Sequence, residues 1–155
     1  MLVPVPTHNN RFVLKVGIKA LRPVIVALKG YDPVSYFPEG GGAALVGSSD
    51  LSVDYGGVTY NFANENNMNL FLDEVTASNN SNVPVKYEPT YGGWCAFAMA
   101  SGNQVDIDPT LFDFTGDRLH FFVAQAALDL WLADKANLEK SADRRWSRIL
   151  RRARR

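Results

Sequence analysis

The sequence predicts an α+β fold of two hairpin-plus-helix units around a shared core, with an N-terminal strand before them and a basic amphipathic helix after them. Three observations carry this reading. Two windows about sixty residues apart repeat the order strand, glycine turn, strand, apolar helical stripe. Between them, Tyr91-Gly92-Gly93-Trp94-Cys95-Ala96-Phe97-Ala98 packs a glycine pair, large aromatics and the only cysteine into eight residues, which reads as a tight junction beside a pocket. Finally, the last twelve residues carry seven arginines and no acid on a helical period.

With 155 residues, 46% of them apolar and 21% charged, the chain suits one domain over 1–155 that buries a real core. A single cysteine excludes an internal disulfide framework and a cysteine-only metal cage. The formal net charge of zero conceals segregation. Residues 1–31 hold five basic side chains and no acid, 32–143 hold four basic and sixteen acidic ones, and 144–155 hold the seven arginines. An acidic body with basic ends attracts itself, a second copy in a homo-oligomer, or an anionic surface.

From the N-terminus, Phe12, Leu14, Val16 and Ile18 alternate with Arg11, Lys15, Gly17 and Lys19, only Val13 breaking the pattern, which is the period of a half-buried strand rather than of a transit peptide. Val24 to Leu28 reads as a second short strand after the break at Arg22-Pro23. No run approaches the roughly eighteen apolar residues of a membrane helix, and Lys15 and Lys19 spoil a signal-peptide core, so a soluble protein is expected. Asp32, held extended by Pro33, is placed to accept backbone N–H groups in a turn or to contact a ligand.

The first unit runs from Val53-Asp54-Tyr55 through Gly56-Gly57 to Val58-Thr59-Tyr60-Asn61-Phe62. A helix capped by Asn64 follows, with Met68, Phe71, Leu72 and Val75 on one face and a polar loop from Ser78 to Asn82 beyond it. The second unit repeats this with one inserted turn residue, aligning Tyr60 with His120, Phe62 with Phe122, Met68 with Leu128, Phe71 with Trp131 and Leu72 with Leu132. Leu138, Ala142, Trp146, Ile149, Leu150 and Ala153 then line one face of a terminal helix. Arg144, Arg145 and Arg148 are expected to be used internally, and Arg151, Arg152, Arg154 and Arg155 to remain available to an anionic partner.

Gly30-Tyr31-Asp32-Pro33-Val34-Ser35-Tyr36-Phe37, Tyr60-Asn61-Phe62, Tyr91-Gly92-Gly93-Trp94-Cys95-Ala96 and Val105-Asp106-Ile107-Asp108-Pro109 together resemble the longer single-domain proteins of the YHS family, which is grouped with TRASH-type metal-binding modules. The resemblance covers 28–146, leaving 1–27 as an extension and 147–155 as a basic tail. It implies a non-enzymatic module binding a small ligand or a transition metal such as copper or zinc. In metal-binding members, cysteines occupy the positions that are Ser35, Ala63 and Asn67 here, so the family's metal role does not carry over through them.

The ligand candidates are therefore Tyr31, Asp32, Tyr36, Tyr91, Trp94 and Cys95, and the metal candidates are Cys95 and His120, with Met99 and Asp32 as further donors. Cys95 reads equally as a core residue. Two alternatives stand beside the binding module: a thiol-dependent redox protein using Cys95, and an interaction module working through the arginine-rich end. Two histidines outside any motif give no nucleophile–base pair, and Gly40-Gly41-Gly42 lacks the lysine of a phosphate loop. An enzyme is not expected.

Overall fold

The computed structural model describes the backbone of residues 3–6, 12–15, 24–78 and 85–155, and the side chains of 24–78 and 85–155. Four helices and three two-stranded antiparallel sheets stand among these residues, which is the α+β class read from the sequence. The chain divides into two compact units, 1–87 and 88–155.

In the first unit, β1 (Val3–Pro6) pairs with β2 (Phe12–Lys15). The expected strand is thus present over 12–15, while its continuation over 16–18 lies outside the described residues. The second expected strand does not form. Only Val26 pairs, with Thr59, and Ile25 accepts the Thr59 N–H at 2.8 Å. The chain then winds left-handed through Leu28 (φ 53°), Lys29 (φ 53°) and Gly30 (φ 88°). A left-handed leucine is costly, and its side chain is buried at 7% exposure, which offsets the strain. Tyr31 N–H closes this turn on the Leu28 carbonyl at 3.0 Å.

Strands β3 (Ser48–Tyr55) and β4 (Val58–Phe62) form the predicted hairpin. Its two turn residues, Gly56 and Gly57, both have positive φ (61° and 85°), the requirement of a two-residue turn matched to strand twist. Helix α1 (Glu65–Ser78) starts as expected, with Asn64 Oδ1 accepting the Asn67 N–H at 2.8 Å. Fully buried Phe71 meets the rings of Tyr60, Phe62 and Tyr55 at 4.9, 5.3 and 6.1 Å between centroids. The polar loop expected beyond Ser78 lies, from residue 79, outside the described residues.

The second unit opens with another left-handed turn, Tyr91 (φ 54°), Gly92 (φ 63°) and Gly93 (φ 85°), closed by Trp94 N–H on the Tyr91 carbonyl at 3.1 Å. A short helix α2 (Ala96–Met99) follows, then strands β5 (Asp108–Thr115) and β6 (Arg118–Phe122) and helices α3 (Gln125–Ala133) and α4 (Lys135–Ala153). The Tyr91–Ala98 stretch therefore belongs wholly to this unit.

The internal repeat is more regular than the sequence alignment had it. Ser48 pairs with Phe62 and Asp108 with Phe122, Tyr55 with Val58 and Thr115 with Arg118, and both hairpins slip register between those pairs. Across the hairpins the spacing is 60 residues throughout, and the expected turn insertion is absent because Thr115 is the last strand residue, leaving Gly116-Asp117 as a two-residue turn. Phe62, Phe122, Phe71 and Trp131 are all fully buried in equivalent places.

Leu132 departs from its equivalent. Leu72 is half-buried, whereas Leu132 is 52% exposed. Helix α1 continues to Ser78, but α3 stops at Ala133, where Asp134 (φ −145°, ψ 44°) redirects the chain into α4. On α4, Leu138, Ala142, Trp146 and Ile149 are the half-buried or buried face. Trp146 packs over the Gly92 turn, where a Cβ would stand 3.0 Å from its ring. Thus Gly92 answers both a positive φ and a close approach.

Candidate functional site

Of the residues nominated from sequence, Tyr31, Asp32 and Tyr36 belong to the first unit, and Tyr91, Trp94, Cys95 and His120 to the second. Tyr31 is half-buried, its backbone bridged to Val46, and Tyr36 is buried in the turn after Asp32. Trp94 is half-buried at the end of the left-handed turn.

Asp32 is fully buried and organises the first unit's polar interior. Its Oδ1 accepts the Val34 and Ser35 N–H groups at 2.8 and 3.2 Å. Its Oδ2 accepts the Ala63 N–H at 2.8 Å and the Asn67 Nδ2 amide at 2.7 Å. Ser35 Oγ donates to the Asp32 carbonyl at 2.8 Å and accepts the Leu45 N–H at 3.2 Å. One carboxylate thereby ties a turn, the end of β4 and the first turn of α1. The turn reading of Asp32 is realised, and both carboxylate oxygens are engaged by the protein's own donors. Ser35, Ala63 and Asn67, the three positions at which the resemblance places cysteines, all converge here. With a hydroxyl, a methyl and an amide they do not fit a thiolate-held metal.

At the equivalent turn of the second unit stands Cys95. Asp32 N–H donates to the Leu45 carbonyl at 2.8 Å, and Cys95 N–H donates to the Val105 carbonyl at 2.9 Å. Cys95 is fully buried and its backbone bridges to Phe121. The positions matching Ser35, Ala63 and Asn67 are Ala98, Val123 and Ala127, so this junction is apolar.

The second unit's polar network is built elsewhere, around buried His120 and half-exposed Arg118 and Asp143, from residues the sequence did not connect. Arg118, next to the hairpin turn, forks onto Asp143 of α4 through Nη1 at 3.2 Å and Nη2 at 2.8 Å, and its Nη1 lies 3.3 Å from Glu139 Oε1. Tyr91 Oη donates to Asp143 at 2.9 Å. Fully buried His120 has Nε2 2.9 Å from Glu139 Oε2 and Nδ1 2.6 Å from Thr90 Oγ1. Its ring stacks on Tyr91 at 5.6 Å and meets Trp131 edge-on at 4.9 Å. Glu139 and Asp143, four residues apart, share a helix face. That spacing was visible in the sequence, but nothing there put Arg118 opposite.

The electrostatics follow the geometry. Burial, then the Asp143 hydrogen bond, pushes the Tyr91 phenol above its ordinary range. Burial raises the Asp143 carboxyl, but hydrogen bonds from Arg118 and Tyr91 outweigh it and hold the group below the usual carboxylate value. His120 is depressed from its ordinary 6.5, chiefly by burial, with the Glu139 hydrogen bond opposing. In the neutral ring, Nε2–H donates to Glu139 and Nδ1 accepts the Thr90 hydroxyl. On protonation, Nδ1–H donates to Thr90 Oγ1, whose own hydrogen turns to the Leu119 carbonyl 3.0 Å away.

A histidine depressed in the folded state binds fewer protons there than when unfolded, so its contribution is present above its unfolded pKa and is lost as pH falls through the folded one. Urea midpoints should therefore fall as pH is lowered below about 6.5, and a His120→Gln variant should flatten that limb. An unchanged slope in the variant would assign the acid sensitivity to other groups.

The arrangement offers little to a metal at Cys95 and His120: the thiol is sealed in the core and both ring nitrogens have protein partners. No group of three or more His, Cys, Asp or Glu side chains is placed to hold a metal ion among the described residues. No helix among them is long and apolar enough to cross a membrane. The exposed chemistry lies instead on α4, where Arg144, Arg145, Arg148, Arg151 and Arg152, with Arg154 and Arg155 just beyond it, all face solvent. Arg144 reaches only Ser141 Oγ at 3.1 Å, and the Arg145 stem covers Gly102. The expectation that Arg144, Arg145 and Arg148 would be neutralised internally is not met: none of the seven arginines forms an ion pair among the described residues. No family model matches the chain, and neither a curated protein nor a solved structure matches it.

Proposed function

We propose that this chain is a non-enzymatic binding module of YHS type, its ligand-cysteine positions rebuilt as a hydrogen-bonded strut, that engages a polyanionic partner through the arginines of α4. The convergence of Ser35, Ala63 and Asn67 on Asp32 supports the YHS part. The observation that carries the binding part is the exposed, unneutralised arginine set at 144–155, in a protein whose formal charge elsewhere is negative over 32–143. A thiol redox role, or a metal held by the thiolate, would have to work through a fully buried Cys95.

The test is a salt titration of binding to heparin or duplex DNA, followed by fluorescence anisotropy. Each phosphate contact contributes roughly 0.9 to the slope of log K against log salt on DNA. Replacing Arg151, Arg152, Arg154 and Arg155 by glutamine should weaken binding at low salt and lower that slope by about 2–4. Thermal stability should hardly change, because these side chains are exposed. Unaltered binding would remove α4 as the site, and a large fall in melting temperature would make the arginines structural.

A further inference from the structure

Resting on that reading, we infer that the polyanion is the surface of an anionic lipid bilayer, docked against the last two turns of α4. Along the helix, at about 100° per residue, Arg144, Arg148 and Arg151 lie opposite the line of Ala142, Trp146, Ile149 and Ala153. The first part of that line is covered: Ala142 is fully buried and Trp146 packs over Gly92. Past Ile149 the cover ends. Ile149 is half-buried, Leu150 is 37% exposed and Ala153 faces solvent. On the wheel, Arg152 flanks this strip on one side, and Arg154, the capping residue just past Ala153, continues it on the other.

An apolar strip open to water between two cationic flanks is the arrangement of a helix lying in the interfacial plane. The strip enters the acyl boundary while arginine stems reach up to the phosphates. A nucleic acid would use the arginine arc and leave Leu150 in water. The same unit exposes Val123, Leu130 and Leu132 at 43%, 54% and 52%, so apolar exposure and positive charge occur together in it. Charge supplies the attraction, and Leu150 supplies a contribution that salt does not screen.

The experiment is sedimentation of the full chain with vesicles of phosphatidylcholine alone or with about one third phosphatidylserine, in parallel with duplex DNA. Binding should require phosphatidylserine. Leu150→Ser should weaken it roughly five- to tenfold while leaving DNA binding unchanged. The quadruple arginine-to-glutamine variant should weaken both. Helical circular dichroism on each variant checks that α4 is intact. Binding to DNA without binding to vesicles, or vesicle binding indifferent to Leu150→Ser, overturns the bilayer assignment and leaves the polyanion reading in place. Failure to bind either partner overturns both.

Discussion

Replacing Asp32 by alanine should cost about 3–5 kcal/mol of stability, because it leaves buried backbone donors without an acceptor. Val34 N and Ala63 N lose their acceptor outright, while Ser35 N keeps the Asp32 carbonyl at 3.3 Å and Asn67 Nδ2 keeps only the Gly40 carbonyl at 3.5 Å. Each orphaned buried donor alone costs roughly 1–3 kcal/mol, and water entering the cavity recovers part of the sum. Asparagine is no remedy, since its NH2 must face two donors whichever way it is turned. Urea denaturation of Asp32→Ala, Asn67→Ala and the double variant measures the effect and the coupling. The double variant should cost less than the sum of the singles, because the two side chains share a bond. An Asp32→Ala midpoint within error of the parent would show that the carboxylate does not hold the first unit together.

Trp131→Ala should be comparably severe, about 3–5 kcal/mol, as for other fully buried large aromatics. The indole is fully buried against His120 and Phe122, with centroids at 4.9 and 5.6 Å, and its Nε1–H donates to Asp113 Oδ2 at 3.3 Å. Trp131→Phe keeps most of the packing and should cost about 1–2 kcal/mol, because Asp113 retains Lys135 at 2.6 Å. Near-ultraviolet circular dichroism together with urea unfolding separates loosened packing from unfolding. A loss below about 1 kcal/mol for the alanine variant would remove Trp131 as the centre of the second core.

Much of this was legible from periodicity. The hairpin around Gly56-Gly57, the Asn64 cap and the burial of Phe71 and Trp131 follow from alternation, turn chemistry and a 3.6-residue stripe, all local signals. The left-handed turn at Leu28 and Lys29 was not legible, because neither residue favours positive φ; burial of the Leu28 side chain and the Tyr31 N–H bond to the Leu28 carbonyl hold it there. Nor were the long-range partners of the charged side chains. Asp32 lies 35 residues from Asn67, and Arg118 lies 25 from Asp143. Such pairs are set by how elements pack, which single-residue patterns do not encode. Cys95 drew attention as a reactive atom, yet complete burial in an apolar junction makes it part of the core.

The same turn position holds Asp32 in one unit and Cys95 in the other, and its surroundings have changed as a block. Asp32 comes with Ser35, Ala63 and Asn67; Cys95 comes with Ala98, Val123 and Ala127. A carboxylate moved alone to position 95 would meet no side-chain amide at 127, and a thiol moved alone to position 32 would leave the Asn67 amide only the Gly40 carbonyl at 3.5 Å. Each single exchange passes through a state worse than either end. The two halves of the chain are thus free to diverge one residue at a time over their surfaces, but epistatically locked at this junction, where drift must proceed by paired substitution.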